Sequence, residues 1–145
     1  MTVITHCWWQ IIVAAIVYFA LGAVWFNPKV FGSVWMNSHG IVMDEEKKKN
    51  TNMGLMMGLS FVCTLIFSAA ICWICCATSC DGSCHAMGMM HCLKIGFLVG
   101  FVGATSISMA YLYQMKPLNA FVTDGFYHIV GSLLAAATLH LLGCC

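Results

Sequence analysis

The eleven charged residues of this 145-residue chain are segregated, and their placement limits the fold more than any motif does. They lie at Lys29, Asp44 to Lys49, Asp81, Lys94, Lys116 and Asp124, leaving four long uncharged stretches at residues 1–28, 50–80, 95–115 and 125–145. A bilayer-spanning helix needs about 20 apolar residues, so each stretch accommodates one span. The chain is 61% hydrophobic and 8% charged, with a mean hydropathy of +0.90. A soluble domain carries about 25% charged residues, and so short a chain could not hide this much apolar surface from water. The protein is therefore read as all-α and polytopic, one four-helix transmembrane domain over residues 1–145. A formal net charge of +1 without a single arginine gives no field for nucleic acid, and that class of partner is excluded. The first stretch lacks a basic leader and a small-residue cleavage site and is expected to be a retained span.

Spans are expected near residues 8–27, 53–75, 93–113 and 121–142. Trp8-Trp9 and Trp25-Phe26 would anchor the first at both interfaces, and Pro28 would stop it. The second is expected to start in water, with Asp44 as cap, Glu45 and Glu46 in the first turn and Glu45 facing Lys49. Gly54-x-x-x-Gly58 and Gly96-x-x-x-Gly100, followed by Gly103, have the spacing that lets helix backbones approach in lipid. Glycine is also simply frequent in membrane helices, which is the plain alternative. Met53, Met56 and Met57 are read as helix packing. Lys29, Lys47, Lys48, Lys49 and Lys116 fall on one side of the membrane and Lys94 on the other. The positive-inside rule then places loops 1–2 and 3–4 in the cytoplasm, with the termini and loop 2–3 on the opposite side.

The segment Trp25-Phe26-Asn27-Pro28-Lys29-Val30-Phe31-Gly32-Ser33-Val34-Trp35-Met36, and the opening of the fourth span, Lys116-Pro117-Leu118 then Asp124-Gly125-Phe126-Tyr127-His128, resemble the signature ends of domain of unknown function family 1761, small membrane proteins found mostly in bacteria. The likeness extends over nearly the whole chain, through the Ala-rich first span ending in Leu-Gly-Ala-x-Trp, the acidic-basic run before the second and the Gly-rich third. It implies a four-helix membrane protein and no established activity. The chain departs from the family in its ten cysteines, so nothing built on them borrows support from the resemblance.

Two constellations carry the candidate chemistry. With four spans, the end of the first and the start of the fourth emerge on the same side, so Trp25, Pro28, Phe31 and Trp35 are expected to meet Asp124, Tyr127 and His128. Asp124 and His128 stand one helical turn apart, close enough for the carboxylate to hold the imidazole, and their stripe continues through Gly131 and Ala135. An ionisable residue at membrane depth is a functional candidate by default, and histidine could shuttle a proton or bind a ligand. The bland alternative has Asp124 capping the fourth helix and His128 bonded to a carbonyl or to Trp35. No second carboxylate lies within a span, which argues against a proton-coupled exporter of the small multidrug type.

The same parity gathers Cys7, Cys75, Cys76, Cys80, Cys84, Cys92, Cys144 and Cys145 at the other end, with His6, His85, His91 and His140. Within the second connection Cys80, Cys84, His85, His91 and Cys92, interleaved with methionines, are soft ligands suited to copper or zinc. Cys72-x-x-Cys75 is similar to the motif of four-helix thiol oxidases, and such a pair can lower one thiol's pKa. Structural disulfides, acylated cysteines or cysteine as a small hydrophobe are the alternatives. The expected protein is a non-enzymatic scaffold, a homo-oligomer or a subunit with other membrane proteins, embedded in the lipid bilayer. Soft-metal handling and thiol oxidoreductase activity through Cys72 and Cys75 stand as the alternatives.

Overall fold

The structure, a computed structural model, describes residues 6–41, 52–78 and 88–144. The elements are α1 (Trp8–Trp25), one π-helical turn (Pro28–Gly32), α2 (Ser33–His39), α3 (Met53–Ala77), α4 (Met89–Tyr113) and α5 (Leu118–Leu141). Among the described residues there is no strand, and α1, α3, α4 and α5 are each long and apolar enough to cross a membrane. The protein is an all-α, multi-pass integral membrane protein. One end of the bundle carries α2 and the Lys116 turn, and the other carries most of the cysteines.

Local chemistry sets the helix ends. α1 stops two residues before the expected boundary because Asn27, preceding Pro28, is extended at φ −65° and ψ 136°. The Asn27 carboxamide accepts the Lys29 N–H at 3.0 Å and starts the π-helical turn. Gly32 is required there, since a Cβ would collide with the Phe26 carbonyl and the Asn27 backbone. Gly40, left-handed at φ 66°, closes α2. Asn52 caps α3 by accepting the Leu55 N–H at 3.2 Å, so the expected cap, Asp44, does not start this helix. Asp44, Glu45, Glu46 and Lys47–Lys49 lie outside the described residues. α4 begins at Met89, earlier than expected, and takes in Lys94, which is exposed and free to lift its ammonium toward the interface. Pro117 precedes α5, which therefore begins at Leu118 and carries Asp124 nearly two turns inside rather than at a cap.

α5 is the hub, packing along α4 and against α1 and α3. Lipid supplies no hydrophobic push between helices, so attraction must come from close approach over small residues. A Cβ on Gly96 would lie 2.8 Å from the Ser132 carbonyl, and one on Gly100 would lie 2.7 Å from that of His128, so α4 rests directly on the α5 backbone. On the opposite side, the ring of Tyr18 from α1 occupies the space that a Gly131 side chain would need. Ala14, Ala135, Ala136, Ile71, Leu139 and six cysteines complete a core weighted toward the cysteine end.

The motif in α3 behaves differently. From Asn52 to Ser60 every residue is exposed, and a Cβ on Gly58 would meet nothing within 4 Å among the described residues. The methionines read as helix packing, Met53, Met56 and Met57, are half or more exposed. The same glycine spacing is thus a packing surface in α4 and, among the described residues, an unpartnered one in α3, which joins the bundle only from Phe61 onward. Gly100→Leu is expected to destabilise the bundle by overpacking, about 1–3 kcal/mol, seen as a lower midpoint in detergent unfolding. Gly58→Ala, where a Cβ meets nothing within 4 Å among the described residues, should not lower the midpoint and should add up to about 1 kcal/mol of helix propensity.

Candidate functional site

At the lysine end the chain folds back over the start of α5. Trp25 donates its indole N–H to the Thr123 carbonyl at 3.1 Å and stacks against Phe31, with ring centroids 4.7 Å apart. Phe26 meets both Trp35 and Tyr127, at 5.4 and 5.0 Å, and Trp35 lies 4.7 Å from the His39 ring. Pro28 opens the π-helical turn that makes this reversal. The structure therefore brings Trp25, Phe31, Trp35 and Tyr127 into one aromatic cover. An apolar cleft of about 350 Å³ opens beside it, walled by Trp25, Phe31, Val34, Val122 and Phe126, with Asn119 and Thr123 as its polar edge.

Beneath the cover lies a hydrogen-bonded triad from three elements. His39 Nδ1 is 2.9 Å from the Trp35 carbonyl, His39 Nε2 is 3.0 Å from the Tyr111 hydroxyl, and that hydroxyl donates to Asp124 Oδ2 at 2.5 Å. His39 Nε2 also lies 3.7 Å from Asp124 Oδ2, so the imidazole, the phenol and the carboxyl group form one closed cluster that joins α2, α4 and α5. Lys116 Nζ donates to the His39 carbonyl at 3.4 Å and ties the α4–α5 turn to α2.

The expected Asp124–His128 pair does not form. Asp124 is turned toward α4 and α2, whereas His128 is turned toward α1 and α3. His128 Nδ1 is 2.9 Å from the Tyr18 hydroxyl, and Phe67 stacks on the imidazole at 5.6 Å. Each polar group finds a neighbouring helix instead of its own, since partners across an interface satisfy it and join helices at once. His39, Tyr111 and Tyr18 are the residues that sequence reasoning missed. Tyr111 reads as an interfacial anchor and Tyr18 as an apolar-span aromatic.

At the other end Cys80, Cys84 and His85 lie outside the described residues. Of the other two soft ligands, His91 Nε2 lies 3.0 Å from the Thr78 hydroxyl, and Cys92 is buried with its sulfur 3.9 Å from His140 Nδ1. Cys72 directs its sulfur to within 3.1 Å of Cys144 Sγ, Cys75 is a buried free thiol, and Cys76 is disulfide-bonded.

The fold and this end together define a small four-span helical membrane protein with a part-buried polar triad under an aromatic cover. The chain belongs to the family described as "Protein of unknown function (DUF1761)", whose model matches residues 9–140. No curated protein and no solved structure matches the chain.

Losing a hydrogen bond to a charged group costs about 1.5–3 kcal/mol. Tyr111→Phe should therefore lower stability in detergent unfolding by about that amount, because it withdraws a donor from Asp124. Tyr113→Phe, at a residue 87% exposed, should change nothing measurable. Equal effects at the two positions would exclude the triad.

Proposed function

We propose that the protein is a non-enzymatic, self-associating membrane bundle that serves as a subunit of a larger assembly, and that its association surface is the first half of α3. The observation that carries this reading is the arm from Asn52 to Ser60, exposed on every side and bearing Gly54 and Gly58. Each glycine in a helix interior costs about 1 kcal/mol relative to alanine. In α4 that cost is offset by contact with the α5 backbone, but in α3 no contact among the described residues offsets it. A second copy of the same helix is the occupant that this spacing suits, because two small-residue faces approach each other symmetrically. The triad and aromatic cover then act as a fastening that holds α2 against α4 and α5.

Single-molecule photobleaching of the protein in lipid bilayers should show dimers or higher oligomers. Gly58→Ile should shift them toward monomers without lowering the unfolding midpoint of the monomeric bundle. A monomeric wild type, or an oligomer indifferent to Gly58→Ile, would remove the proposal.

The lysine end belongs in the cytoplasm on the five-to-one distribution of lysines. The disulfide at Cys76 suits an oxidising compartment on the opposite side. In intact cells an impermeant maleimide, read out by peptide mass spectrometry, should label Gly88→Cys and spare Gln114→Cys. The reverse pattern would invert the orientation, and labelling at both would contradict a four-span topology.

A further inference from the structure

Three cysteines distant in sequence converge at the cysteine end. Cys7 immediately precedes α1, Cys72 lies just over one turn before the end of α3, and Cys144 follows α5. Their sulfurs all lie within 4.8 Å of one another, with Cys72 and Cys144 at 3.1 Å. Cys7 is 6% exposed and the other two are fully buried.

The placement of Cys144 is a built feature. Gly143 turns left-handed at φ 71°, its N–H bonds the His140 carbonyl at 3.0 Å, and the Cys144 N–H bonds the Leu139 carbonyl at 3.0 Å. This pair of bonds is the Schellman arrangement, which folds the residue after the glycine back onto the helix it terminates. Cys144 is thereby directed into the core instead of away from it. The Cys144 carbonyl also receives the Cys7 thiol, at 4.0 Å.

We infer that Cys7, Cys72 and Cys144 form a buried three-sulfur site for a soft monovalent ion, Cu(I). A metal–thiolate bond is about 2.3 Å, so three sulfurs around one trigonal ion stand about 4.0 Å apart. A triangle whose edges already fall at or below 4.8 Å closes onto an ion by moving each sulfur less than an ångström. Soft sulfur donors favour Cu(I). Zinc in a structural site takes four ligands, and the group among the described residues supplies three. Cysteine binds a metal as the thiolate, so loading the site releases thiol protons to solvent. The site is independent of the proposed association surface, which lies at the opposite end of α3.

The test uses the full-length protein in lipid nanodiscs, with copper held as Cu(I) by ascorbate and titrated against a chromophoric Cu(I) chelator. One ion per chain is expected, with an X-ray absorption spectrum showing three sulfur neighbours. Cys72→Ser and Cys144→Ser should each weaken binding by more than about tenfold, the loss that changes outside the first coordination sphere alone can cause. Cys63→Ser, at an exposed cysteine elsewhere on α3, should bind as wild type does. Copper should also raise the unfolding temperature of the wild type and not of Cys144→Ser. Circular dichroism of the copper-free variant verifies that it is folded. Absence of binding, nitrogen or oxygen neighbours in the spectrum, or undiminished affinity in a Cys7/Cys72/Cys144 triple serine variant would overturn the site.

Discussion

The contact on which the bundle depends is the approach of two helices to the backbone of α5 from opposite sides. α4 lies against it at Gly96 and Gly100, and α1 presses the Tyr18 ring onto Gly131. In water a larger core could substitute for such intimacy, but lipid tails are as apolar as leucine and reward only contacts closer than lipid itself can make. The small side chains of α5, Ser132, Ala135 and Ala136, are all fully buried for that reason. A side chain added at one of these positions moves a whole helix.

The same solvent dictates how the polar side chains are used. A charge or hydroxyl left bare at membrane depth is costly, and the two interior networks are each closed by partners on other elements. Asp124 is held by Tyr111 of α4 and faces His39 of α2, and His128 is held by Tyr18 of α1. Each network therefore satisfies its own groups and pins one element to the hub. The two ends of the molecule differ in chemistry accordingly. The lysine end is closed by hydrogen bonds and aromatic rings, while the cysteine end is closed by thiols packed as small apolar groups.

Much of this was legible in the sequence, because the number of spans follows from where charges are tolerated and the pairing of ends follows from parity. That parity also brought the Trp25 to Trp35 segment to the start of α5. Rotation about the helix axis was not legible. Asp124 and His128 stand one turn apart and read as a pair, yet a modest angular offset sends one to α4 and the other to α1. The glycine motifs of α3 and α4 are identical on paper, and only the path of α3 away from the bundle distinguishes them. The convergence of Cys7 and Cys144 on Cys72 could not be seen from spacing, since it depends on the reversal at Gly143. Sequence reasoning concentrated instead on the dense cysteines and histidines of the second connection, where local spacing is conspicuous.

The claim that α5 organises the bundle is tested most directly by a double-mutant cycle between Tyr18 and His128, with Tyr18→Phe, His128→Ala and the double variant unfolded reversibly in mixed micelles. Tyr18→Phe keeps the ring over Gly131 and removes only the hydroxyl that meets His128 Nδ1. Hydrogen bonds between membrane helices couple by about 0.6 kcal/mol on average and about 1.7 kcal/mol at most. A coupling energy within that range is expected here. Strictly additive losses would show that the two side chains do not interact, and the seating of α1 on α5 would then be wrong.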